Sequence, residues 1–206
     1  GAHVGKSAFF IRLASCKVGC PWCDTKESWD ETKHPNISVK ILALEAKNAF
    51  DSGAAFVVIT GGEPLHHNLD ELCYEINRST MPIEDETIPI HLETSGVNPI
   101  SGAPNWITLS PKRHAPPCQE LLRRCHELKP IIHEKEDLIF AEKMSLAARE
   151  NREMINEPKS QQKETPLLFL QPEWNNKMAQ ELTFNYVRRH PEWRLSLQTH
   201  KWLGVN

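Results

Sequence analysis

The sequence predicts one α/β domain over residues 1–206, with a mostly parallel sheet and helical crossovers that form a partial (β/α)6-type barrel. Two observations predict this fold class. Short apolar runs of strand length alternate with polar loops and with longer segments of helical periodicity. In addition, polar turns directly follow several predicted strands. This agrees with a barrel, because its functional residues lie in loops at the carboxyl ends of the strands.

Each predicted strand is a short apolar run that stops at glycine, proline or a polar turn. The strands are predicted at residues 8–14, 55–60, 88–93, 105–109, 128–133, 167–170 and 194–198. The first helix has Ser38 as a candidate N-cap and ends near Phe50, with Gly53 just beyond it. The other helices are predicted at about residues 68–79, 118–127, 136–148 and 176–189. Residues 149–166 are charged, rich in glutamine and poor in apolar residues, which predicts a surface insertion.

The composition is ordinary for a globular protein, with 39% hydrophobic and 25% charged residues. The formal net charge of −3 argues against a protein that coats nucleic acid. No apolar run approaches the roughly 20 residues of a membrane span, and the first residues do not resemble a signal peptide. We therefore expect a cytoplasmic protein whose six cysteines are free thiols in a reducing compartment.

Three of the cysteines form a C-x3-C-x2-C array, Cys16-Lys17-Val18-Gly19-Cys20-Pro21-Trp22-Cys23. Thiolates are soft ligands suited to iron–sulfur clusters or to zinc. A 4Fe–4S cluster has four irons, so three cysteines leave one iron open to a small molecule. S-adenosylmethionine (SAM) can chelate that iron, and an electron passed to its sulfonium releases a 5′-deoxyadenosyl radical. The array therefore indicates a cluster that cleaves SAM.

Three other interpretations of the array stay open from the spacing alone. A structural zinc site needs four ligands, usually starting from C-x2-C pairs, and no second pair follows. A redox-active pair of Cys20 and Cys23 would leave Cys16 unexplained. Chance clustering of buried thiols is the third interpretation.

A second motif, Thr60-Gly61-Gly62-Glu63-Pro64, follows the predicted strand at 55–60. Its glycines let a ligand approach the backbone, and Glu63 can receive an ammonium group. Alone, such a turn is equally typical of an ordinary strand-to-helix connection. Together with the cysteine array about forty residues earlier, it resembles the radical SAM superfamily, whose second motif binds the amino group of SAM.

Further motifs, in the same order along nearly the whole chain, resemble the 7-carboxy-7-deazaguanine synthase family within that superfamily. The most specific are Cys23-Asp24-Thr25 and the tail from Trp193 to Lys201. The remaining ones are Phe10-Ile11-Arg12-Leu13-Ala14-Ser15-Cys16, His91-Leu92-Glu93-Thr94-Ser95-Gly96, Ser110-Pro111-Lys112, Glu127-Leu128-Lys129 and Leu170-Gln171-Pro172.

This resemblance implies a radical SAM barrel and a specific reaction. The family converts 6-carboxy-5,6,7,8-tetrahydropterin to 7-carboxy-7-deazaguanine, on the route to queuosine and other 7-deazapurines. The deoxyadenosyl radical takes a hydrogen from C6, the ring contracts, ammonia leaves, and the returned hydrogen regenerates SAM. The resemblance also implies Mg²⁺, a homodimer and an external, flavodoxin-like electron donor.

The resemblance also implies roles for individual residues. Cys16, Cys20 and Cys23 would hold the cluster, and the Thr25 hydroxyl would bind Mg²⁺, a hard ion that needs few protein oxygens. Without the resemblance, Thr25 is equally well a residue that caps its loop. Besides Glu63, the residues that would contact SAM are Trp22, Cys23, Asp24, Gly62, Ser110, Pro111, Lys112, Gln171, Pro172, Glu173 and Trp174.

The pterin would be bound by Arg12, Thr60 and the α-carboxylate of Asn206. Arg12 lies on an apolar strand and needs an anionic partner, such as the pterin carboxylate. The alternative for the tail is that Trp202 and Leu203 only pack on the core. Family members begin with a further strand and a Gln-Gly-Glu-Gly turn that contacts substrate. This sequence starts at the position of the last glycine of that turn, and we expect that the strand is missing from the sequence rather than from the protein.

The other histidines and cysteines have simpler interpretations. His66 and His67 are adjacent and are predicted to lie in a solvated loop, while Cys73, Cys118 and Cys125 are predicted to be ordinary helix-face residues. Two competing functions are a radical SAM activase of glycyl-radical enzymes, which shares the cysteine array, and a zinc-stabilised binding module without catalysis.

Overall fold

The computed structural model describes residues 1–79, 87–153 and 165–204. The chain divides into two compact units. The first, here called the N-terminal unit, is His3–Thr108, and the second, the C-terminal unit, comprises Gly1–Ala2 and Leu109–Asn206. That the whole chain acts as a single domain stays a prediction.

The N-terminal unit contains parallel strands connected by helices. Its strands are β1 (Ala8–Leu13), β2 (Phe56–Gly61), β3 (Ile90–Thr94) and β4 (Trp106–Leu109), the last ending at the boundary of the unit. Its helices are α1 (Val39–Asp51) and α2 (Asp70–Ser79), and short 3-10 helices lie at Lys26–Trp29, Glu31–Lys33 and Pro64–His66. β1 pairs in parallel with β2, and β2 pairs in parallel with β3.

Burial along these strands decides which side chains can reach a ligand. β2 is buried from Phe56 to Thr60, as a central parallel strand should be. On β1 the side chains alternate, so Ile11 is buried while Phe10 and Arg12 are exposed on the opposite face. The parallel register sets Arg12 beside Thr60. The first helix begins as predicted, because the Ser38 hydroxyl accepts a hydrogen bond from the Lys40 N–H.

The C-terminal unit is built around β7. Its strands are β5 (Glu127–Leu128), β6 (Ile131–Ile132), β7 (Leu167–Pro172) and β8 (Trp193–Leu195), and its helices are α3 (Gln119–Arg124), α4 (Lys135–Glu153), α5 (Lys177–Val187) and α6 (Thr199–Leu203). β5, β6 and β8 all pair with β7 in parallel. Leu168 is paired with both Leu128 and Trp193, so β7 is the central strand of this unit.

Several boundaries differ from the predicted ones. The strand predicted at 128–133 is divided at Lys129-Pro130, since proline has no N–H to donate to a neighbouring strand. α4 continues to Glu153, so the first residues of the predicted insertion are helical, while residues 154–164 lie outside the described residues. The short helix α6 was not predicted. Within the described ranges, no helix has the length and apolarity needed to span a bilayer.

Candidate functional site

The cysteine array lies in a loop that starts where β1 ends. Ser15 has a positive φ of 78°, which turns the chain away from the strand. The Ser15 N–H donates to the Ser28 carbonyl at 2.8 Å, and the Cys16 N–H donates to the Trp29 carbonyl at 3.4 Å. These two bonds close the base of the loop. The end of the loop, at Ser28 and Trp29, therefore lies beside its start, at Ser15 and Cys16.

The three cysteines of the loop form no disulfide, and the Cys23 thiol lies close to hydrogen-bond donors. Cys20 is buried, whereas Cys16 and Cys23 are half-buried. The Cys23 Sγ accepts a hydrogen bond from Trp29 Nε1 at 3.4 Å and lies 3.6 Å from Thr25 Oγ1. Donors directed at cysteine sulfur are among the features that tune iron–sulfur clusters, so the soft thiols and their surroundings fit such a group.

The thiol of Cys16 has a perturbed protonation equilibrium. Burial raises its pKa above the ordinary value, and the negative charge of Glu63 and the nearby Cys23 raise it further, while the Val18 and Gly19 backbones oppose the rise.

Among the described residues, no three His, Cys, Asp or Glu side chains are placed to hold one metal ion.

The Gly61-Gly62 turn lies directly against the cysteine loop. Gly61, at φ 118°, is paired with Leu13, and the Gly62 N–H donates to the Leu13 carbonyl at 2.7 Å. A Cβ at Gly62 would come 2.5 Å from the Ser15 carbonyl oxygen and 3.1 Å from the Cys16 Cβ. Only glycine permits this approach. The two motifs, about forty residues apart in sequence, are thus in direct backbone contact.

The Glu63 side chain is buried and fully hydrogen-bonded. One carboxylate oxygen accepts from the Leu65 N–H at 3.1 Å and from the Thr94 hydroxyl, and the other accepts from the N–H of Ser95 at 2.8 Å and from its hydroxyl. These four donors match the four acceptor positions of a carboxylate. Contact between Glu63 and a ligand ammonium stays a prediction. The structure adds a role that the sequence did not indicate: Glu63 joins the turn to the end of β3.

Arg12 and Thr60 form a polar row at the ends of β1 and β2. The Thr60 hydroxyl donates to Glu93 Oε2 at 3.2 Å, which extends the row to β3. The Arg12 guanidinium lies 5.0 Å from the centre of the Phe10 ring and forms no ion pair within the part of the chain that the structure describes. The sequence indicates Glu93 only as part of a motif. The alternation along β3 could have identified it, since β2 and β3 pair in parallel with Ile59 opposite Leu92.

Thr25 lies within the cysteine loop, half-buried beside Cys23. Its carbonyl oxygen accepts from the N–H and the hydroxyl of Ser28, at 2.9 and 2.7 Å. Its own hydroxyl makes no capping bond to the 3-10 helix that begins at Lys26. The side chain therefore does not act as the N-cap of that helix. Trp22 is also half-buried on this loop, and Asp24 is exposed.

The remaining candidate SAM residues lie in the C-terminal unit. Ser110, Pro111 and Lys112 follow β4, with Pro111 buried and Lys112 Nζ donating to the Ser110 hydroxyl at 2.7 Å. Gln171 and Pro172 end β7 opposite β6.

Glu173 and Trp174 follow β7 and have partners that the sequence did not indicate. Glu173 Oε2 is 2.6 Å from both His133 Nδ1 and Asn176 Nδ2, and the hydrogen bond that protonated His133 donates to this carboxylate raises the pKa of His133. The Trp174 ring meets Trp202 edge-on, with 5.7 Å between the ring centres.

One alternative interpretation and one expectation from the sequence are wrong, and a further expectation concerns a residue outside the described ranges. Trp202 and Leu203 are 70% and 75% exposed, so they do not close the core. His67 is not in a purely solvated loop, because its Nε2 lies 2.7 Å from the Ala14 carbonyl oxygen. Asn206 lies outside the described residues.

Comparisons with known proteins give consistent results. The family model described as the radical SAM superfamily matches residues 11–131. Proteins named 7-carboxy-7-deazaguanine synthase are similar over the whole of this chain: that of Prochlorococcus marinus is 58% identical, with 92% of its length covered, and that of Synechocystis sp. is 43% identical, with 87% covered. The crystal structure of QueE from Escherichia coli is similar with a TM-score of 0.72 at 27% identity, over 96% of this chain and 88% of that one. These similarities confirm the predicted fold class.

Replacing Glu63 with glutamine should destabilise the fold, because the amide nitrogen would face donors that now meet a carboxylate oxygen. Losing two charge-assisted hydrogen bonds corresponds to about 3 kcal/mol, which lowers the melting temperature of a chain of this size by roughly 6–12 °C. Anaerobic thermal unfolding followed by circular dichroism measures this change. Glu71→Gln, at an exposed position of α2, is the control, and equal melting temperatures for the two variants would contradict the role of Glu63.

Replacing Gly62 with alanine should displace the cysteine loop, because the added methyl overlaps the Ser15 carbonyl. We expect iron content after anaerobic reconstitution to fall below half of the parent value. The control is Gly53→Ala: its φ of 102° disfavours alanine, but the methyl group would meet no atom within 4 Å. That variant should lose about 1 kcal/mol of stability and keep its iron. Full iron content in Gly62→Ala would show that the loop tolerates the shift.

Proposed function

Since the chain belongs to the 7-carboxy-7-deazaguanine synthase family of the radical SAM superfamily, we propose that it converts 6-carboxy-5,6,7,8-tetrahydropterin to 7-carboxy-7-deazaguanine with loss of ammonia. The resemblance predicted from the motifs is thereby confirmed. The chain is a radical SAM enzyme, and its family implies a 4Fe–4S cluster and SAM as cofactors. One observation of the fold carries the proposal: the cysteine loop and the Gly-Gly-Glu-Pro turn are joined by direct backbone hydrogen bonds.

Cys16, Cys20 and Cys23 would hold the cluster, and the remaining iron would be open to SAM. When bound, the cluster supplies the electron that cleaves SAM. The loop contributes position and shielding. Its base is held by Ser28 and Trp29, and the Trp29 indole directs an N–H at the Cys23 sulfur.

We propose SAM contacts on the basis of the family resemblance, and the surroundings of two of these residues support the role. In the N-terminal unit, Gly62 leaves the backbone accessible beside Cys16, and Trp22 offers a half-buried aromatic surface. The other SAM contacts that we propose are made by Cys23, Asp24, Glu63, Ser110, Pro111, Lys112, Gln171, Pro172, Glu173 and Trp174.

The pterin would meet the polar row formed by Arg12, Thr60 and Glu93. Arg12 has an exposed guanidinium suited to the pterin carboxylate, because a planar fork of N–H donors matches two carboxylate oxygens. Glu93 orients the Thr60 hydroxyl and offers further acceptors to the N–H groups of the ring. From the family resemblance, we also propose that the α-carboxylate of Asn206 contacts the pterin.

Thr25 would place its hydroxyl on Mg²⁺ beside the cluster. Its hydroxyl is not used as a helix cap, which supports this role. Mg²⁺ keeps several waters and takes few protein oxygens when the substrate carboxylate supplies another. The same family resemblance leads us to propose a cytoplasmic homodimer that receives electrons from a flavodoxin-like donor.

Anaerobic turnover with the carboxytetrahydropterin tests the function. We expect the reconstituted enzyme with SAM, Mg²⁺ and a reductant to form a product with the ultraviolet spectrum of a 7-deazaguanine. Cys16→Ala, Cys20→Ala and Cys23→Ala should each lose the cluster and activity, because each removes one of its three thiolate ligands. Cys73→Ala, in the buried face of α2, is the matched control and should retain both. A brown, SAM-cleaving enzyme without this product would overturn the proposed substrate.

Thr25→Val should weaken the binding of Mg²⁺ that supports activity, since valine keeps the shape of threonine but removes one oxygen ligand. We expect at least a tenfold higher Mg²⁺ concentration for half-maximal rate, with unchanged iron content. A Thr25→Ser enzyme retains the hydroxyl and should remain near the parent. If Thr25→Val follows the parent curve throughout a magnesium titration, the hydroxyl does not bind the ion.

A further inference from the structure

Three consecutive backbone carbonyls at the start of the cysteine loop are each held by the segment after β2. The Leu13 carbonyl accepts from the Gly62 N–H at 2.7 Å, and the Ser15 carbonyl accepts from the Glu63 N–H at 3.0 Å. The Ala14 carbonyl, between them, lies 2.7 Å from the Nε2 of His67. Two of the three contacts use backbone donors. The third contact is made by the imidazole of His67, so it alone among the three depends on the identity of a side chain.

The Ala14 carbonyl needs this side chain because of where it lies. Leu13 is the last residue of β1, so Ala14 is beyond the strand pairing with β2, and successive carbonyls of an extended chain point in opposite directions. The neighbouring carbonyls face the Gly62–Glu63 backbone, which leaves Ala14 to a donor from elsewhere. A carbonyl oxygen only accepts, so His67 must carry a proton on Nε2.

The backbone of His67 is itself anchored. The Ser101 hydroxyl donates to the His67 carbonyl at 3.2 Å and accepts from the Leu69 N–H at 3.0 Å. The His67 N–H donates to the Pro64 carbonyl at 3.0 Å. The imidazole therefore extends from a fixed point in the segment that follows the Gly-Gly-Glu-Pro turn.

We propose that His67 is a positioning residue for the cluster: its imidazole holds the Ala14 carbonyl and thereby fixes the backbone from which Cys16 reaches its iron. This inference rests on the proposed function, because it assigns Cys16 as a cluster ligand. Ser15, between Ala14 and Cys16, has a positive φ that a serine adopts only when its neighbours are held. Releasing Ala14 frees the chain to leave this conformation and to withdraw the Cys16 thiol.

The test compares cluster retention in three variants with the reconstituted parent enzyme. His67→Leu removes the donor. His67→Gln keeps an N–H donor the same number of bonds from Cα. His66→Leu is the matched control, since His66 is the adjacent histidine and its buried Nδ1 has no hydrogen-bond partner among the described residues. The measurements are iron and sulfide content, the rate of cluster bleaching in excess iron chelator, and the electron paramagnetic resonance spectrum of the reduced enzyme with SAM.

We expect His67→Leu to lose its cluster roughly five- to thirty-fold faster than the parent, the factor that corresponds to one lost buried hydrogen bond. Its resonance spectrum with SAM should be heterogeneous, while His67→Gln and His66→Leu should resemble the parent in both readouts. Equal bleaching rates in His67→Leu and the parent would overturn the proposal while leaving the proposed function intact. Failure of His67→Gln to restore retention would also overturn it, because packing rather than donation would then be responsible. A parent enzyme that binds no iron after reconstitution would overturn both.

Discussion

The arrangement of the N-terminal unit depends on a buried carboxylate. A charge removed from water is tolerated only when its hydrogen-bonding positions are filled, and Glu63 meets this condition with donors from Leu65, Thr94 and Ser95. Two of these residues lie at the end of β3, so satisfying the charge also fixes the distance between the β2 turn and β3. The N–H groups of Gly62 and Glu63 in turn donate to backbone carbonyls at the start of the cysteine loop, so the position of the turn also fixes the position of this loop. The thiols are thus held by residues from two neighbouring strands.

The same carboxylate influences the chemistry of the thiols. Burial raises the pKa of Cys16, and the charge of Glu63 adds to the rise, which favours the protonated form of this thiol. In the proposed role of Cys16 as a cluster ligand, iron binding would release that proton, and the positive charge of the iron would compensate both the new thiolate and the nearby carboxylate. A site that disfavours the thiolate without metal is protected from adventitious oxidation, since the thiolate is the reactive form.

Much of the fold and the cysteine site could be predicted because their signals are local. The spacing of Cys16, Cys20 and Cys23, the glycines at 61 and 62, and the apolar runs of the strands are each contained within a few residues. The partners of Glu63 could not be predicted, because Thr94 and Ser95 are more than thirty residues away. The apolar pattern at residues 128–133 also predicted one continuous strand, but Pro130 divides it into two.

The polar row of Arg12, Thr60 and Glu93 shows how pairing register creates a polar surface that no single segment encodes. Arg12 is on the exposed face of β1 and Thr60 is its paired residue on β2. Since side chains alternate with a period of two, a shift of one residue in either pairing would turn Arg12 or Glu93 to the other face of the sheet. The row places a cation and a carboxylate on either side of a hydroxyl, which complements a substrate that carries both a carboxylate and ring N–H donors. For the substrate contacts that we propose, the register of these strands is therefore essential, and it is fixed by the buried side chains on the opposite face, of which Ile11 and Ile59 are examples.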